Sequence, residues 1–441
     1  MNFLKLRIVF ALLICFSFSA CEDFLGGDVN RDPNNPTEVP VTAMTPAIQI
    51  NLADVIGGAF SRFNAGLVQQ TEGVARQWTP FYAYNGLTPN RFDGAWNNVY
   101  ENILNEIKIG TRLAEADGNN HYVAIMNIME AYIMMMSTDM WDDMPYSEAL
   151  LGIDNINPAY DSQASIYQAV HNLLDNGISL LNGNPGSLPP GNEELYYGGD
   201  ASLWLKAAHA IKARAFLHYA DYEKARTEAE NSFTSAADNM GFHYPDANAA
   251  GPWYRFNRDR TGDIEFNPAM KGIMNNLNDT ARVAVFDQIF TTANTYLVAD
   301  FFQELITYRE MQFVIAETDL RATPGGTQAG YDAYLAGIRA SFDRVGLDQA
   351  DYDTYIAQPE VDPGVGNLTL EMIMTQKYIA LFLDPEAYTD WRRTEYPILT
   401  PVSGSAIPVR WHYSATEYLF NENAPAEGEV NIFSDRVGWN R

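Results

Sequence analysis

Apolar positions recur at helical spacing along most of the chain. Trp96, Val99, Tyr100, Ile103, Leu104 and Ile107 follow an i, i+3/i+4, i+7 pattern, which predicts an amphipathic helix. Ile166, Val170, Leu173, Leu174, Ile178 and Leu181 predict another, ended by Gly183 and Pro185. Leu203 to Tyr219 predicts a longer helix, and Leu370, Ile373, Met374, Tyr378, Leu381 and Phe382 a further one. Val123 to Met136 is apolar nearly all round, broken only by Asn127 and Glu130, so it belongs inside a stack of helices. Strand-like alternation is rare and short. The expected fold class is all-α.

The helices come in pairs. HYADYEKARTEAENSF, from His218, resembles the turn of a tetratricopeptide repeat, with Ala220 where Gly is usual and Tyr222 and Ala225 opening the second helix. The period of about 34 residues is not sustained, which predicts degenerate repeats carrying long insertions. Stacked pairs bury their faces only against neighbours and build a curved scaffold with a broad open face. Three long polar, aromatic, Gly- and Pro-rich stretches interrupt them: Asn182 to Gly199, Gly241 to Pro268 and Pro385 to Arg441. Loops of such length are functional or disordered, and their aromatic content argues for order.

The N-terminus changes the picture. Lys5 and Arg7 precede an apolar run, Ile8 to Phe18, too short to span a membrane, and Ser19-Ala20 are small: a secretory signal over residues 1–20. Phe18-Ser19-Ala20-Cys21 resembles a lipobox, whose cysteine is acylated and becomes the mature N-terminus. Residues 21–40, rich in Asp, Asn, Gly and Pro, then read as a tether, and 41–441 as the folded domain. The two cysteines both lie within the first 21 residues, which excludes a disulfide framework for the rest. Against 28 Lys+Arg stand 56 Asp+Glu, a net charge of −28, so nucleic acid is not an expected partner.

Catalytic and metal signatures fail. There is no HExxH, no GxSxG and no Walker A loop, and the six histidines form no i, i+4 pair. Gly364-Val365-Gly366 starts like a nucleotide fingerprint, but Thr369 occupies the third glycine's place. Asp28, Asn30 and Asp32 imitate a calcium loop whose Gly and Glu positions hold Pro33 and Val39. Carboxylate pairs suited to glycoside hydrolysis arise by chance among so many acids. No catalytic residue, metal or cofactor is therefore expected. What stands out is aromatic clustering in polar loops. Trp78, Phe81, Tyr82, Tyr84 and Asn85 lie in QWTPFYAYNGLTPN, where Pro80, Gly86 and Pro89 argue against a helix. Trp253, Tyr254 and Phe256 lie in GPWYRFNR, and Tyr196-Tyr197 precede Gly198-Gly199. Flat rings stack on the apolar faces of sugars while Asn, Asp and Arg satisfy the hydroxyls; the same rings could instead pin loops onto helices.

Several segments, in order along essentially all of the mature chain, resemble the SusD/RagB family of outer-membrane nutrient-binding lipoproteins. CEDFLGGDVNRDPNNPTEVP is similar to the family's tether. TDMWDDMPYSEAL resembles its Thr-Asp helix end, with Trp141 and Asp142 where an aromatic and Gly are common. YGGDASLWLKAAHAIKARAFLHY resembles its Gly-Asp…Trp…Lys…Arg helix; FVIAE, DWRRTEYPIL and IPVRWHYSATEYLFN resemble its C-terminal elements; NLNDTAR departs from its usual Asn-Asp-Pro-Arg. The resemblance implies a SusD-like fold of tetratricopeptide-like helix pairs whose long loop insertions form the ligand face. It implies a surface lipoprotein of the outer membrane, anchored through Cys21, that captures oligosaccharide, or in some members peptide, for a SusC-like TonB-dependent β-barrel transporter. By position it carries ligand contact over to Trp78, Tyr82, Tyr84 and Asn85, and less directly to Trp253 and Tyr254. Non-enzymatic capture is the expected function; an acidic face would suit basic peptides, and an α-helical glycosidase is the remaining alternative.

Overall fold

The computed structural model describes residues 39–290 and 296–441. The signal segment, Cys21 and nearly all of the tether lie outside the described residues. Helices dominate: α1 (Val41–Val55), α2 (Ser61–Leu67), α3 (Trp78–Tyr82), α4 (Asp93–Asn97), α5 (Asn105–Ala116), α6 (Asn120–Trp141), α7 (Gln163–Leu181), α8 (Ala201–His218), α9 (Tyr222–Glu230), α10 (Pro252–Asp259), α11 (Pro268–Asn276), α12 (Thr280–Phe286), α13 (Tyr308–Ala322), α14 (Gln328–Arg344), α15 (Gln349–Ile356), α16 (Leu370–Ala380), α17 (Glu386–Thr394) and α18 (Ala415–Phe420). Two π-helical turns, Ile56–Phe60 and Asn98–Leu104, join α1 to α2 and α4 to α5 without a break. Strands form three two-stranded antiparallel pairs of two to six residues.

The helices pack consecutively: α5 on α6, α6 on α7, α7 on α8, α8 on α9, α9 on α13, and α13 on both α14 and α16. This is the tetratricopeptide-like stack that the paired periodicity predicts. At its centre α6 is buried on every side from Tyr122 to Trp141, as its all-round apolar pattern requires. Its two polar interruptions are answered: Lys108 and Tyr146 both donate to Glu130 (2.6 and 2.5 Å), and Asn127 donates to Asn176 at 3.3 Å. Ser162, Asp200 and Asp221 cap α7, α8 and α9 by accepting hydrogen bonds from first-turn amides. No helix among the described residues is long and apolar enough to cross a membrane.

Nine described non-glycine residues adopt positive φ, and two of them sit at helix ends where glycine is usual. Ala220, in the α8–α9 turn, has φ +57°, and Asp142, closing α6, has φ 72° and ψ −127°. The Asp142 side chain also holds the chain end: its carboxylate accepts from the Gly438 amide at 2.7 Å and pairs with Arg410 and Arg441, fastening the C-terminal segment to α6.

The deepest part of the fold is a buried network of charges. Arg214 of α8 donates twice to Glu310 of α13, at 2.7 and 2.5 Å. His218 bonds Glu386 of α17 through Nε2 and Tyr167 of α7 through Nδ1, both at 2.7 Å, and Tyr167 donates to Asp139 of α6 at 2.5 Å. Trp439 also donates to Asp139, at 2.7 Å. Lys377 pairs with Asp390 at 2.7 Å, and Arg393 bridges Asp390 and Glu317. Burial alone would lower the His218 pKa, but the carboxylates of Glu386 and Asp139 outweigh it and hold the imidazolium up to about 9.

Two outcomes follow. Because the folded pKa of His218 lies above its ordinary 6.5, its contribution to stability is complete below 6.5 and disappears as pH rises through about 9. Urea melts at pH 6.5 and pH 9.5 should show wild-type protein losing stability and His218→Gln showing a flatter response from a lower start. Ala220→Gly, which relieves a left-handed alanine, should raise unfolding free energy by roughly 1 kcal/mol; an unchanged or lower midpoint would show the turn to be unstrained.

Candidate functional site

A cleft of about 520 Å³ opens between the α1–α2 run, α4 and α10. Each wall is one helical face. Asp54, Gly58, Ala59 and Arg62 recur along the first, Arg91, Gly94, Ala95 and Asn98 along the second, and Arg255, Phe256, Asp259 and Arg260 along the third. The small residues make the room. A Cβ at Gly94 would meet nothing within 4 Å, so the space above it belongs to the cleft and not to a packing neighbour.

Phe63 and Phe256 line the floor, and Trp78 and Trp253 back them from beneath. Trp78 and Phe256 meet edge to face with centroids 5.3 Å apart, Trp253 lies 6.0 Å from Phe256, and Phe63 lies 6.0 Å from Trp78. The two sequence clusters, separated by some 170 residues, are thus brought together. Arg62 covers this floor, its guanidinium 5.1 Å from the Phe256 centroid and 5.9 Å from that of Trp253. Burial, then the neighbouring Arg255 cation, push the Arg62 pKa down to about 10, with Asp54 opposing. Asp54 is itself held by Arg255 at 2.7 Å and accepts from Tyr244, while Asp259 is gripped by Arg258 at 2.8 Å.

The structure distributes the residues singled out from sequence over different surroundings. Trp78, 6% exposed, and Trp253, 3% exposed, lie behind the floor rather than lining the cleft and do not present a free face; Trp253 donates to Ser61 at 2.8 Å. Tyr82 is half-buried and accepts from Asn267 at 2.7 Å. Tyr84 is buried with φ +62°; its hydroxyl accepts from the Val402 amide and its ring faces Phe433, away from the arginine cleft. Asn85 is exposed at the turn, and Tyr254 is half-buried on α10. Tyr196 and Tyr197 pin their loop, packing on Trp204 and donating to the carbonyls of Gln49 and Asp238. The expectation of no helix around Trp78 is corrected: α3 forms, because Pro80 sits in its first turn, where a missing N–H leaves no bond unmade.

Sequence reading passed over the cleft's arginines. Arg62, Arg91 and Arg260 lie far apart in sequence, and only the meeting of three helices reveals them as neighbours. A signal was nevertheless present in Gly58-Ala59 ahead of Arg62 and Gly94-Ala95 after Arg91, small residues beside cations on one helical face. A second cleft of about 620 Å³ lies between Trp391–Tyr396 and Phe433–Arg436. Its cations are committed: Arg392 donates to the carbonyls of Asp139 and Val409, and Arg436 pairs with Glu395.

Since Trp78 is enclosed by Phe63, Phe81 and Phe256, Trp78→Ala should lower unfolding free energy by roughly 3–5 kcal/mol. Its indole N–H has no partner, so Trp78→Phe should cost far less. Denaturant melts of both variants check this; equal costs would show that something other than ring packing is lost.

Comparison with known proteins places this architecture. Residues 33–298 and 289–414 match the family model SusD-like, described as "Starch-binding associating with outer membrane". No match is found among curated proteins. A SusD/RagB family protein from Bacteroides thetaiotaomicron superposes with a TM-score of 0.77 at 21% identity, covering 91% of this chain and 99% of its own. A SusD-like protein described as Bacteroidetes AC2a gives 0.76 at 18% identity, covering 91% and 100%. A chitin-binding SusD homolog from Flavobacterium johnsoniae gives 0.69 at 21% identity, covering 91% and 98%. With the helix-pair stack and a family match over most of its length, the chain belongs to the SusD-like family.

Proposed function

We propose that this protein is a non-enzymatic, cell-surface lipoprotein of the outer membrane, anchored through Cys21, that captures oligosaccharide and hands it to a SusC-like TonB-dependent β-barrel. The observation that carries the capture step is the cleft: open, floored by aromatic rings and lined by guanidinium groups with donors to spare. The family's description as starch-binding and the chitin-binding relative support a saccharide ligand. Delivery to a barrel and lipid anchoring rest on the resemblance of the tether and lipobox segments.

The rival readings find less support in the cleft. A basic peptide would meet arginines, which have the wrong sign for it. Hydrolysis would need a carboxylic acid and a carboxylate free to act on a sugar, whereas Asp54 and Asp259 are tied to Arg255 and Arg258.

Gly94→Phe tests the site, since it fills the cleft from its open side without displacing a neighbour. On native gels cast with a panel of neutral and acidic polysaccharides, the mature protein should be retarded by at least one of them. Gly94→Phe should weaken that binding at least roughly tenfold while leaving the melting temperature nearly unchanged. Retention of full affinity would move the ligand elsewhere on the face. In cells, Cys21→Ser should release the protein from the membrane, and the tagged wild type should co-purify with a β-barrel transporter.

A further inference from the structure

The chain carries 56 carboxylates against 28 lysines and arginines, so a cation near the surface should rarely lack a carboxylate partner. Most of the described arginines conform. Arg76, Arg226, Arg255, Arg258, Arg321 and Arg339, all at least partly exposed, each hold an Asp or Glu. Arg392 pairs with none, but is saturated by backbone carbonyls in the interior.

The cleft departs from this. Among the described residues no carboxylate lies within ion-pair distance of Arg62, Arg91 or Arg260, and all three line that single cleft. Arg91 donates only long bonds, 3.4 Å each, to the carbonyls of Gly86 and Gln77. Arg62 lies over two rings, which bind its flat face and leave its in-plane N–H groups unused. The acids that share the cleft, Asp54 and Asp259, are already paired with Arg255 and Arg258 and make no ion pair with the three. Three guanidinium groups therefore share one cleft with no ion-paired carboxylate among them, and beside them burial and the Arg255 cation lower the Arg62 pKa to about 10, with Asp54 opposing.

We propose that the cleft recognises saccharides carrying an oxyanion, a carboxylate or a sulfate ester, seated on Arg62, Arg91 and Arg260. The inference deepens the capture reading above and rests on it. A planar guanidinium fork matches a carboxylate or sulfate edge in two parallel bonds. An anion would supply the counter-charge that the three arginines lack. A neutral sugar would not. The net charge of −28 adds discrimination: it disfavours non-specific binding of polyanions, so that selection rests on the cleft itself.

The test is titration calorimetry of the mature protein with three probes of similar length: oligogalacturonate, its fully methyl-esterified form, and a κ-carrageenan oligosaccharide bearing sulfate esters. Oligo-glutamate serves as a non-saccharide anion. One of the two anionic saccharides should bind at least roughly thirtyfold tighter than the ester, and its affinity should fall steeply between 50 mM and 500 mM NaCl. Which of the two does so identifies carboxylate or sulfate as the recognised group. Arg260→Gln, an exposed position where folding is not at stake, and Arg62→Gln should each weaken that binding at least roughly tenfold.

Equal binding of oligogalacturonate and its ester, indifferent to salt and to both variants, would overturn this inference while leaving saccharide capture standing. Binding of a neutral polysaccharide alone would do the same. Silence toward every saccharide would overturn capture itself and the inference with it. Oligo-glutamate bound as tightly as the saccharides would show a generic anion sink, which also overturns the assignment.

Discussion

The fold depends on charges that cannot reach water. Arg214 and Glu310, His218 and Glu386, Lys377 and Asp390, and Arg393 and Glu317 are buried together, and each charge would be prohibitively desolvated without its partner. Their arrangement ties α8 to α13, α8 to α17, α16 to α17, and α17 back to α13. Asp139 adds α6, Tyr167 adds α7, and Trp439 adds the C-terminal segment. Apolar packing would tolerate a helix sliding by a turn, but a bidentate pair at 2.5–2.7 Å does not. The network therefore fixes the register of a stack whose repeat is too degenerate to fix it alone.

A frame locked in this way can carry irregular surface segments without their having to supply stability. The long C-terminal stretch is mostly without regular structure, yet Trp411 and Tyr413 are buried and Asp142 clasps its end. On the opposite side of this division of labour, α10 and the segment around Arg91 contribute only one face each to the core and leave the other to the cleft. The balance of charge differs accordingly. Inside, cations and carboxylates are matched; outside, carboxylates prevail; in the cleft, Arg62, Arg91 and Arg260 stand without an ion-paired carboxylate.

Much of the scaffold is legible in the sequence. The helices around Ile166, Leu203 and Leu370 fall where their spacing puts them, because a buried face leaves a periodic trace. The family-like motifs are also explained, though by the interior. Asp139 of TDMW, Arg214 of the Lys…Arg helix, Glu317 of FVIAE and the Arg392-Arg393 pair all enter the buried network or its edge. The site was less legible. An aromatic in a polar loop looks the same whether it faces solvent or packs inward, and Trp78 and Trp253 pack inward because Phe63, Phe81 and Phe256 complete a ring cluster drawn from distant segments. Periodicity within one segment carries no trace of a cleft made by three.

An unpaired guanidinium on a ring floor is costly in one respect and ready in another. Placed over Phe256 and Trp253, Arg62 gains quadrupole attraction and loses rotameric freedom at folding, before any ligand arrives. A flexible surface lysine would have to be ordered by its ligand at the moment of binding, and part of the interaction would be consumed in doing so. Here the rings beneath the arginine are already held, because Trp253 is pinned on Ser61, and Ser61 in turn donates to the carbonyl of Leu383. Leu383 follows α16 and precedes α17, the helices that hold Lys377 and Asp390 of the buried network. The rigidity that the interior charges impose thus reaches the rings beneath the cleft through two hydrogen bonds, and Arg62 rests its guanidinium on rings that are themselves held.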